Sequence, residues 1–422
     1  MRIGDFLTRN KTAVTIQDGI KYKRVTIRVR NGGVVLRDEV MGENIGTKRQ
    51  FLVSEGQFIF SKIDARNGAM GIIPADLNGA VVTQDFLPYD IDATLVNPQY
   101  FVLVCTTKQF VSFCQSCSSG TTNRQRVDEA QFLNIKVPVP SLKEQDELVE
   151  EYEKDILLST SISSKIHQQQ QDISIKLLKD LGISTLQKKR SFDGCYKQLA
   201  FLPFAKMQNW SADTYAQEDS YRSSIYEVAS LNDTTSLCID IFRGKSPKYK
   251  DNTNAFILNQ KCIRWGNIDK TFAKTVDGEW LKQIEPKFFT RKGDVLINST
   301  GEGTIGRAAA VDKDNTGLLY DSHILLVRLN TKAIIPEYFA AVFNSEYGQE
   351  QVNNVKSAQS TNQTELGIGN LRKIFFPIPP LEIQNKIVEE RQKMRQQNEQ
   401  EEKARLQIEE QAIIDFEAQI FE

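Results

Sequence analysis

The chain has 422 residues, of which 40% are hydrophobic and 25% charged, with a formal net charge of −1 at pH 7. That is ordinary globular material, long enough for two to four domains each burying its own core. No run approaches the roughly eighteen apolar residues of a membrane span, and Met1-Arg2-Ile3-Gly4-Asp5 opens no apolar signal segment, so the expectation is a cytoplasmic protein. The near-zero charge conceals a partition: residues 1–50 carry eleven Lys or Arg against five acids, residues 142–181 five against nine, and residues 381–422 six against eleven. Basic charge gathers outside two acidic segments, and a neutral sum of this kind is compatible with a polyanion-binding face.

Taken in chain order, the first 140 residues alternate short β-rich runs, such as Val25-Thr26-Ile27-Arg28-Val29-Arg30, with Gly, Asn and Asp turns. Asn97-Pro98-Gln99-Tyr100 falls one residue short of the Asn/Asp-Pro-Pro-Tyr loop of an adenine methyltransferase, and a helix-start proline explains it better. Cys114 and Cys117 form a C-x-x-C without a second pair, and His167 and His323, the two histidines, lack triad neighbours at readable spacing. Inert thiols are expected. A proline-marked segment follows, then an apolar repeat of seven (Leu142, Val149, Ile156, with Tyr152, Ile166 and Ile173 at the second seam position) that predicts a long helix without Pro or Gly until Gly182.

Residues 183–219 align with no repeat and read as a connector plus the first element of the second lobe. Early in the second lobe come Gly244-Lys245-Ser246-Pro247 and the strand-like Phe256-Ile257-Leu258. Within Ser299-Thr300-Gly301-Glu302-Gly303-Thr304-Ile305-Gly306 lies a G-x-G-x-x-G directly after the strand-like Asp294-Val295-Leu296-Ile297. A dinucleotide cradle needs a long helix next, whereas Asp312-Lys313-Asp314-Asn315-Thr316-Gly317 would stop a helix after about one turn. The pattern predicts a tight glycine turn between two short strands. From Leu381, Val388 and Met394, then Leu406, Ile413 and Ile420, predict a second long helix whose seam is polar around residues 396–402. The two helices are expected to pack as a coiled-coil pair.

The chain is written twice. Phe132-Leu133-Asn134-Ile135-Lys136-Val137-Pro138-Val139-Pro140-Ser141-Leu142-Lys143-Glu144-Gln145 aligns with Leu371-Arg372-Lys373-Ile374-Phe375-Phe376-Pro377-Ile378-Pro379-Pro380-Leu381-Glu382-Ile383-Gln384. Thr121-Thr122-Asn123 faces Ser360-Thr361-Asn362, and Asn97–Phe101 faces Ile335–Phe339. The glycine loop also has a counterpart, Ser61–Gly71, which keeps glycines but not the G-x-G-x-x-G spacing; a turn survives such a change and a phosphate site does not. The fold class is therefore α/β (α+β), with two pseudo-repeated lobes separated by two long antiparallel coiled-coil helices. The segments are 1–140 (lobe one), 141–182 (central helix), 183–378 (connector and lobe two) and 379–422 (C-terminal helix).

Duplicated lobes closed by P-x-P-x-L-x-x-Q and followed by a long helix resemble the specificity subunit of type I restriction-modification systems. The resemblance implies that each lobe is a target-recognition domain reading one half of a split double-stranded DNA site, and that the helices set the spacing and dock two methyltransferase (M) subunits. It also implies restriction/motor (R) subunits in the complex. S-adenosylmethionine, ATP and Mg would serve those partners, with no cofactor or metal bound by this chain and no membrane partner. The DNA-contact residues that fit this reading are Lys21, Lys23, Arg24, Arg28, Arg30, Lys62, Arg66, Arg124 and Arg126 in lobe one. In lobe two they are Arg243, Lys245, Lys248, Lys250, Arg264, Thr304, Arg307 and Asn362. Leu142, Gln145, Val149, Leu381, Gln384 and Val388 are the expected partner-binding residues. No catalytic residues are expected. The alternatives are a DNA-reading subunit of another multisubunit system, type IIB-like, or a nucleotide-binding enzyme using Gly301–Gly306.

Overall fold

The computed structural model describes residues 1–119, 126–183, 221–232, 237–358 and 364–421. It divides into two units, Met1–Lys165 with Gln400–Glu422, and Ile166–Glu399.

In the first unit, strands β1 (Leu7–Arg9), β6 (Phe58–Ser61), β7 (Met70–Ile72) and β9 (Phe86–Ile91) form an antiparallel sheet in the order β1-β9-β6-β7. A second sheet has the order β2-β5-β8-β3-β4, from β2 (Ala13–Thr15), β3 (Lys21–Ile27), β4 (Val34–Met41), β5 (Arg49–Leu52) and β8 (Val81–Val82). The central strand β6 is buried along its whole length, and its side chains alternate between two cores. Phe58 and Phe60 pack with Phe101 and Phe132 on the helical side, while Ile59 joins Val25, Ile27 and Val82 against the second sheet. This is the period-two signature of a strand covered on both faces. Helices α1 (Pro98–Thr106), α2 (Lys108–Ser116) and α3 (Glu129–Asn134) supply the helical cover, and β10 (Ser118–Ser119) pairs with β11 (Arg126–Val127). Helix α1 starts where Asn97 accepts the amides of Gln99 and Tyr100, with Pro98 in its first turn. The Asn97 loop is a helix cap, as its sequence suggests.

The second unit repeats the plan. Strands β13 (Cys238–Arg243), β18 (Asp294–Asn298), β19 (Ala308–Ala310) and β21 (Ile324–Leu329) form a sheet in the order β13-β21-β18-β19, strand for strand the order of lobe one. Val295 and Ile297 face one core and Leu296 the other. Strand β14 (Phe256–Leu258) pairs antiparallel with β17 (Lys274–Thr275) and parallel with β20 (Leu319–Tyr320), as β3 pairs with β4 and β8. Between them run the hairpin β15 (Ile263–Arg264) and β16 (Asn267–Ile268), and the short helix α5 (Gly278–Lys282). Helices α6 (Pro336–Asn344), α7 (Glu346–Val355) and α8 (Ile368–Leu371) and the hairpin β22 (Ser357–Ala358) with β23 (Thr364–Glu365) complete the repeat. The pairing of β12 (Val228–Ser230) with β24 (Phe375–Pro377) extends what lobe one holds as the antiparallel bridge between Arg2 and Lys136.

The glycine loop is the turn its sequence suggests. It joins antiparallel β18 and β19, and Gly301, Gly303 and Gly306 have φ of +94°, +74° and +82°. These are left-handed conformations that only glycine adopts without strain. No phosphate-binding helix follows; the chain enters β19 directly.

The long helices are α4 (Leu142–Asp180) and α9 (Leu381–Phe421). Within the first unit they run antiparallel: Gln419 donates to Glu151, Ser159 to Glu409 at 2.6 Å, and Lys165 pairs with Glu401 at 2.9 Å. In the second unit Lys176 pairs with Glu390. The α4 seam holds Val149, Tyr152, Ile156, Ile166 and Ile173 inward, as the heptads require. The α9 phase needs correcting. Leu406 is 51% exposed, and toward the end of the helix the buried positions are Ala412 and Phe416, because Phe416 also packs on Tyr100 of lobe one. A helix serving a partner helix and a lobe buries a stripe that heptad counting places one residue off.

Candidate nucleic-acid interface

The P-x-P-x-L-x-x-Q segment acts inside each lobe. Gln145 accepts the Asn97 amide at 2.8 Å and donates to Leu95 O and Pro140 O. Gln384 accepts the Ile335 amide at 2.8 Å and donates to Ala333 O and Pro379 O. Tyr100 Oη and Tyr338 Oη donate to the carbonyls of Pro138 and Pro377. Both glutamines are fully buried. They clamp the root of each long helix to its lobe, which corrects their expected partner-binding role: every polar atom of the two amides is already engaged. Val149 is likewise buried against lobe one, and Val388 packs against the core of lobe two. Leu142 and Leu381 are exposed. Beside the first clamp lies a groove of about 530 Å³ lined by Pro138, Val139, Leu148 and Ile420, with Glu144, Glu147 and Glu151 at its edge.

The basic residues of lobe one do not make a single patch. Lys21 and Arg28 lie at opposite ends of β3, on the order of 20 Å apart at strand rise. Arg24 forms a bidentate pair with Asp38 at 2.7 Å, directly opposite in register, so the guanidinium is held charged and the carboxyl lies below its ordinary range. Lys21 pairs with Glu39 and Lys23 donates to Asp76 O. Those three serve the sheet. At the other end, Arg28 and Arg30 flank the exposed β3–β4 turn, where the Arg30 and Asn31 amides donate to Asn67 O and Gly68 O. The turn is thereby stapled to the β6–β7 loop, which carries Lys62 and Arg66. Lys62 O in turn accepts the Val127 amide, and Arg126 pairs with Asp85 at 3.1 Å. One rim therefore gathers Arg28, Arg30, Lys62, Arg66 and Arg126 beside the β10–β11 hairpin. Arg124 lies outside the described residues.

In lobe two the corresponding rim surrounds the glycine loop. Arg243 pairs with Glu365 at 2.5 Å and donates to Ser322 O, and Lys250 is 3.4 Å from Asp277. Lys245 sits 3.7 Å above the Phe288 ring, Arg264 4.6 Å from Phe272, and Arg307 5.7 Å from the half-exposed Trp265. Lys248 is exposed. The G-K-S-P opening needs its glycine: a Cβ on Gly244 would lie 1.9 Å from Asp321 O. The Thr304 hydroxyl, expected at DNA, is engaged within the turn by Gln260 Oε1, Thr300 O and Gly301 O. Asn362 lies outside the described residues. Sequence reasoning passed over His323, whose Nδ1 is 2.9 Å from Thr300 Oγ1 on the same rim.

No enzymatic constellation emerges among the described residues. Burial pushes the Cys114 thiol up to about 12, the reverse of what a nucleophile needs. No group of three or more His, Cys, Asp or Glu able to hold a metal occurs among them, and no described helix is long and apolar enough to cross a membrane.

Two repeated α/β lobes with cationic rims define a duplicated DNA-specificity architecture. Residues 1–169 and 237–410 match the family described as the type I restriction modification DNA specificity domain, and the chain belongs to that family. The unmatched interval spans the connector that no repeat covers. No curated protein matches the sequence significantly. Among solved structures, the chain is similar to one from work on complex assembly and conformational transition of the type I R-M system. Identity there is 16% and the TM-score 0.54, covering 99% of this chain and 95% of that one. Two others are the HsdS subunit from Thermoanaerobacter tengcongensis (18% identity, TM-score 0.41, 98% and 95% covered) and the type I S subunit from M. genitalium (12%, 0.41, 99% and 95%). The chain is thus a specificity subunit of a type I restriction-modification system, and DNA recognition is the role of its family.

Proposed function

We propose that each lobe reads one half of a bipartite duplex target, and that the exposed surfaces around the helix roots dock two methyltransferase subunits. In the assembled complex those subunits use S-adenosylmethionine, and restriction/motor subunits use ATP and Mg. The chain itself is non-catalytic and works in the cytoplasm. The observation that carries this reading is the repeated frame: the same strand order in both lobes, with rims of different side chains. Arg28, Arg30, Lys62 and Arg66 hold phosphates for lobe one, and Lys245, Lys248, Arg264 and Arg307 for lobe two. Leu142, Leu381 and the acidic groove beside the first clamp face the methyltransferase subunits.

Two assays test it. The purified chain is expected to bind duplex DNA with an affinity that falls steeply as salt rises, and to methylate nothing unless methyltransferase subunits are added. Salt-independent binding, or methylation by the chain alone, contradicts the proposal.

A further inference from the structure

A pair of backbone hydrogen bonds recurs in both lobes and marks one position in the shared frame. In lobe one the Lys62 amide donates to Asp85 O at 2.8 Å, and the Val127 amide to Lys62 O at 2.8 Å. In lobe two the Ser299 amide donates to His323 O at 2.8 Å, and the Leu366 amide to Ser299 O at 2.7 Å. The backbones are held alike, at the mouth of the β6–β7 or β18–β19 loop and beside the β10–β11 or β22–β23 hairpin. The side chains are not alike. Asp85 holds the Arg126 guanidinium in lobe one, whereas lobe two places His323 at the position of Asp85 and Glu365 at that of Arg126. An unchanged frame carrying exchanged donors and acceptors is what two readers of different sequences need, because base pairs differ in the groove by their donor and acceptor pattern.

We infer that this position is a base-reading point in each lobe: Arg126, steadied by Asp85, in the first, and His323, steadied by Thr300, in the second. The inference rests on the DNA-reading function proposed above. The Arg126 side chain is 59% exposed, and its Nη2 lies 3.1 Å from Asp85 Oδ1. A planar guanidinium this exposed suits guanine O6 and N7. His323 is exposed, while Thr300 beneath it is 7% exposed. Gln260 Nε2 donates to Thr300 Oγ1 at 2.8 Å, and we assign the Thr300 hydroxyl hydrogen to His323 Nδ1, 2.9 Å away. The proton of the neutral ring is accordingly assigned to Nε2, pointing outward. An outward N–H matches a purine N7, guanine O6 or thymine O4 and is mismatched with the amino group of cytosine. Thr300 is a positioning residue in this scheme, and His323 the contact.

The test uses the full chain co-expressed with its methyltransferase subunits, with methylated adenines mapped genome-wide. His323→Ala is expected to relax one position of one half-site, raising methylation of cytosine-bearing sites about tenfold (about 1.4 kcal/mol), while the other half-site stays as it was. His323→Asn, which keeps a side-chain N–H, retains part of the discrimination. Thr300→Val relaxes the same position without changing the salt slope of DNA binding. Arg126→Ala relaxes a guanine in the opposite half-site; if that variant does not accumulate, Arg126→Lys removes the planar fork and serves the same reading. Unchanged motifs in the His323 and Arg126 variants overturn the inference. The triple variant Lys245→Ala, Lys248→Ala, Arg264→Ala separates the two levels. If it weakens duplex binding while the single variants keep their motifs, the base-reading assignment fails and DNA reading stands; if it too changes neither binding nor motif, DNA reading itself fails.

Discussion

Gln384 and Ile335 lie 49 positions apart in the chain, yet the glutamine side chain accepts the isoleucine amide at 2.8 Å and has no solvent exposure. Gln384 Nε2 donates to Ala333 O and Pro379 O, so one residue closes three bonds between the lobe and the start of its helix. Gln384→Ala is expected to destabilise the protein by about 2–4 kcal/mol in urea unfolding, since a buried donor and two buried acceptors lose their partner. Gln384→Glu can still accept the Ile335 amide but cannot donate to the carbonyls and buries a charge, so it is expected to be no better at pH 7. Gln145→Ala repeats the loss in lobe one. A change within about 0.5 kcal/mol for either alanine variant contradicts the clamp.

Arg328 and Asp294 form a nearly buried pair, with side chains 12% and 3% exposed and bonds of 2.9 and 2.8 Å. Removing one partner leaves an uncompensated charge, so Asp294→Asn or Arg328→Met alone is expected to cost about 3–5 kcal/mol. The double variant should cost less than the sum of the two. Additive losses in a double-mutant cycle contradict this coupling.

Gly306 has φ of +82°, and a Cβ there would lie 2.8 Å from Gln349 Oε1 and 3.1 Å from Val352 Cγ1. Gly306→Val is expected to destabilise lobe two by about 1–3 kcal/mol, from strain and crowding together. Gly317→Ala, also at positive φ but with open space around it, should cost about 1 kcal/mol. Nicotinamide and flavin nucleotides should give no thermal shift, whereas a true ligand at a hundred times its Kd would add about 2.7 kcal/mol.

Burial raises the Asp321 carboxyl above its ordinary range, against the lowering influence of the His323 amide and the nearby His323 and Lys274 side chains. The folded state therefore binds this proton more readily than the unfolded chain. The group's favourable contribution is present at low pH and is lost as pH rises through the folded value. Asp321→Asn keeps an acceptor for the His323 amide and is expected to be at least as stable as the parent at pH 7, the difference shrinking toward pH 4. A Tm difference that grows on acidification contradicts the assignment.

The duplication, both long helices, the helix cap at Asn97 and the glycine turn were legible because each depends on local chemistry or on a pattern copied in the chain. Cation partnership was not. Arg24 stands opposite Asp38 only because β3 and β4 adopt one register, with an irregularity after Arg24 that spacing cannot announce. The roles of Gln145 and Gln384 were hidden for a similar reason: a polar residue in a repeated motif reads as a surface contact, and only the folded lobe brings residues 95 and 333 within its reach. His323 reads as idle in the sequence because a lone histidine acquires meaning from its neighbour Thr300, across a turn.

Whether two lobes read two half-sites at a spacing set by the paired helices is tested most directly by mapping methylated adenines in cells carrying the complete complex. The wild-type motif is expected to consist of two specified segments flanking an unspecified gap. A variant with one heptad inserted after Ile156 and a matching heptad after Gln411 keeps the helix pair in phase and adds about 10.5 Å of rise, close to three base pairs. It should methylate the same two segments at a gap lengthened by about that amount. A contiguous wild-type motif, or an active insertion variant that keeps the original gap, would contradict the account.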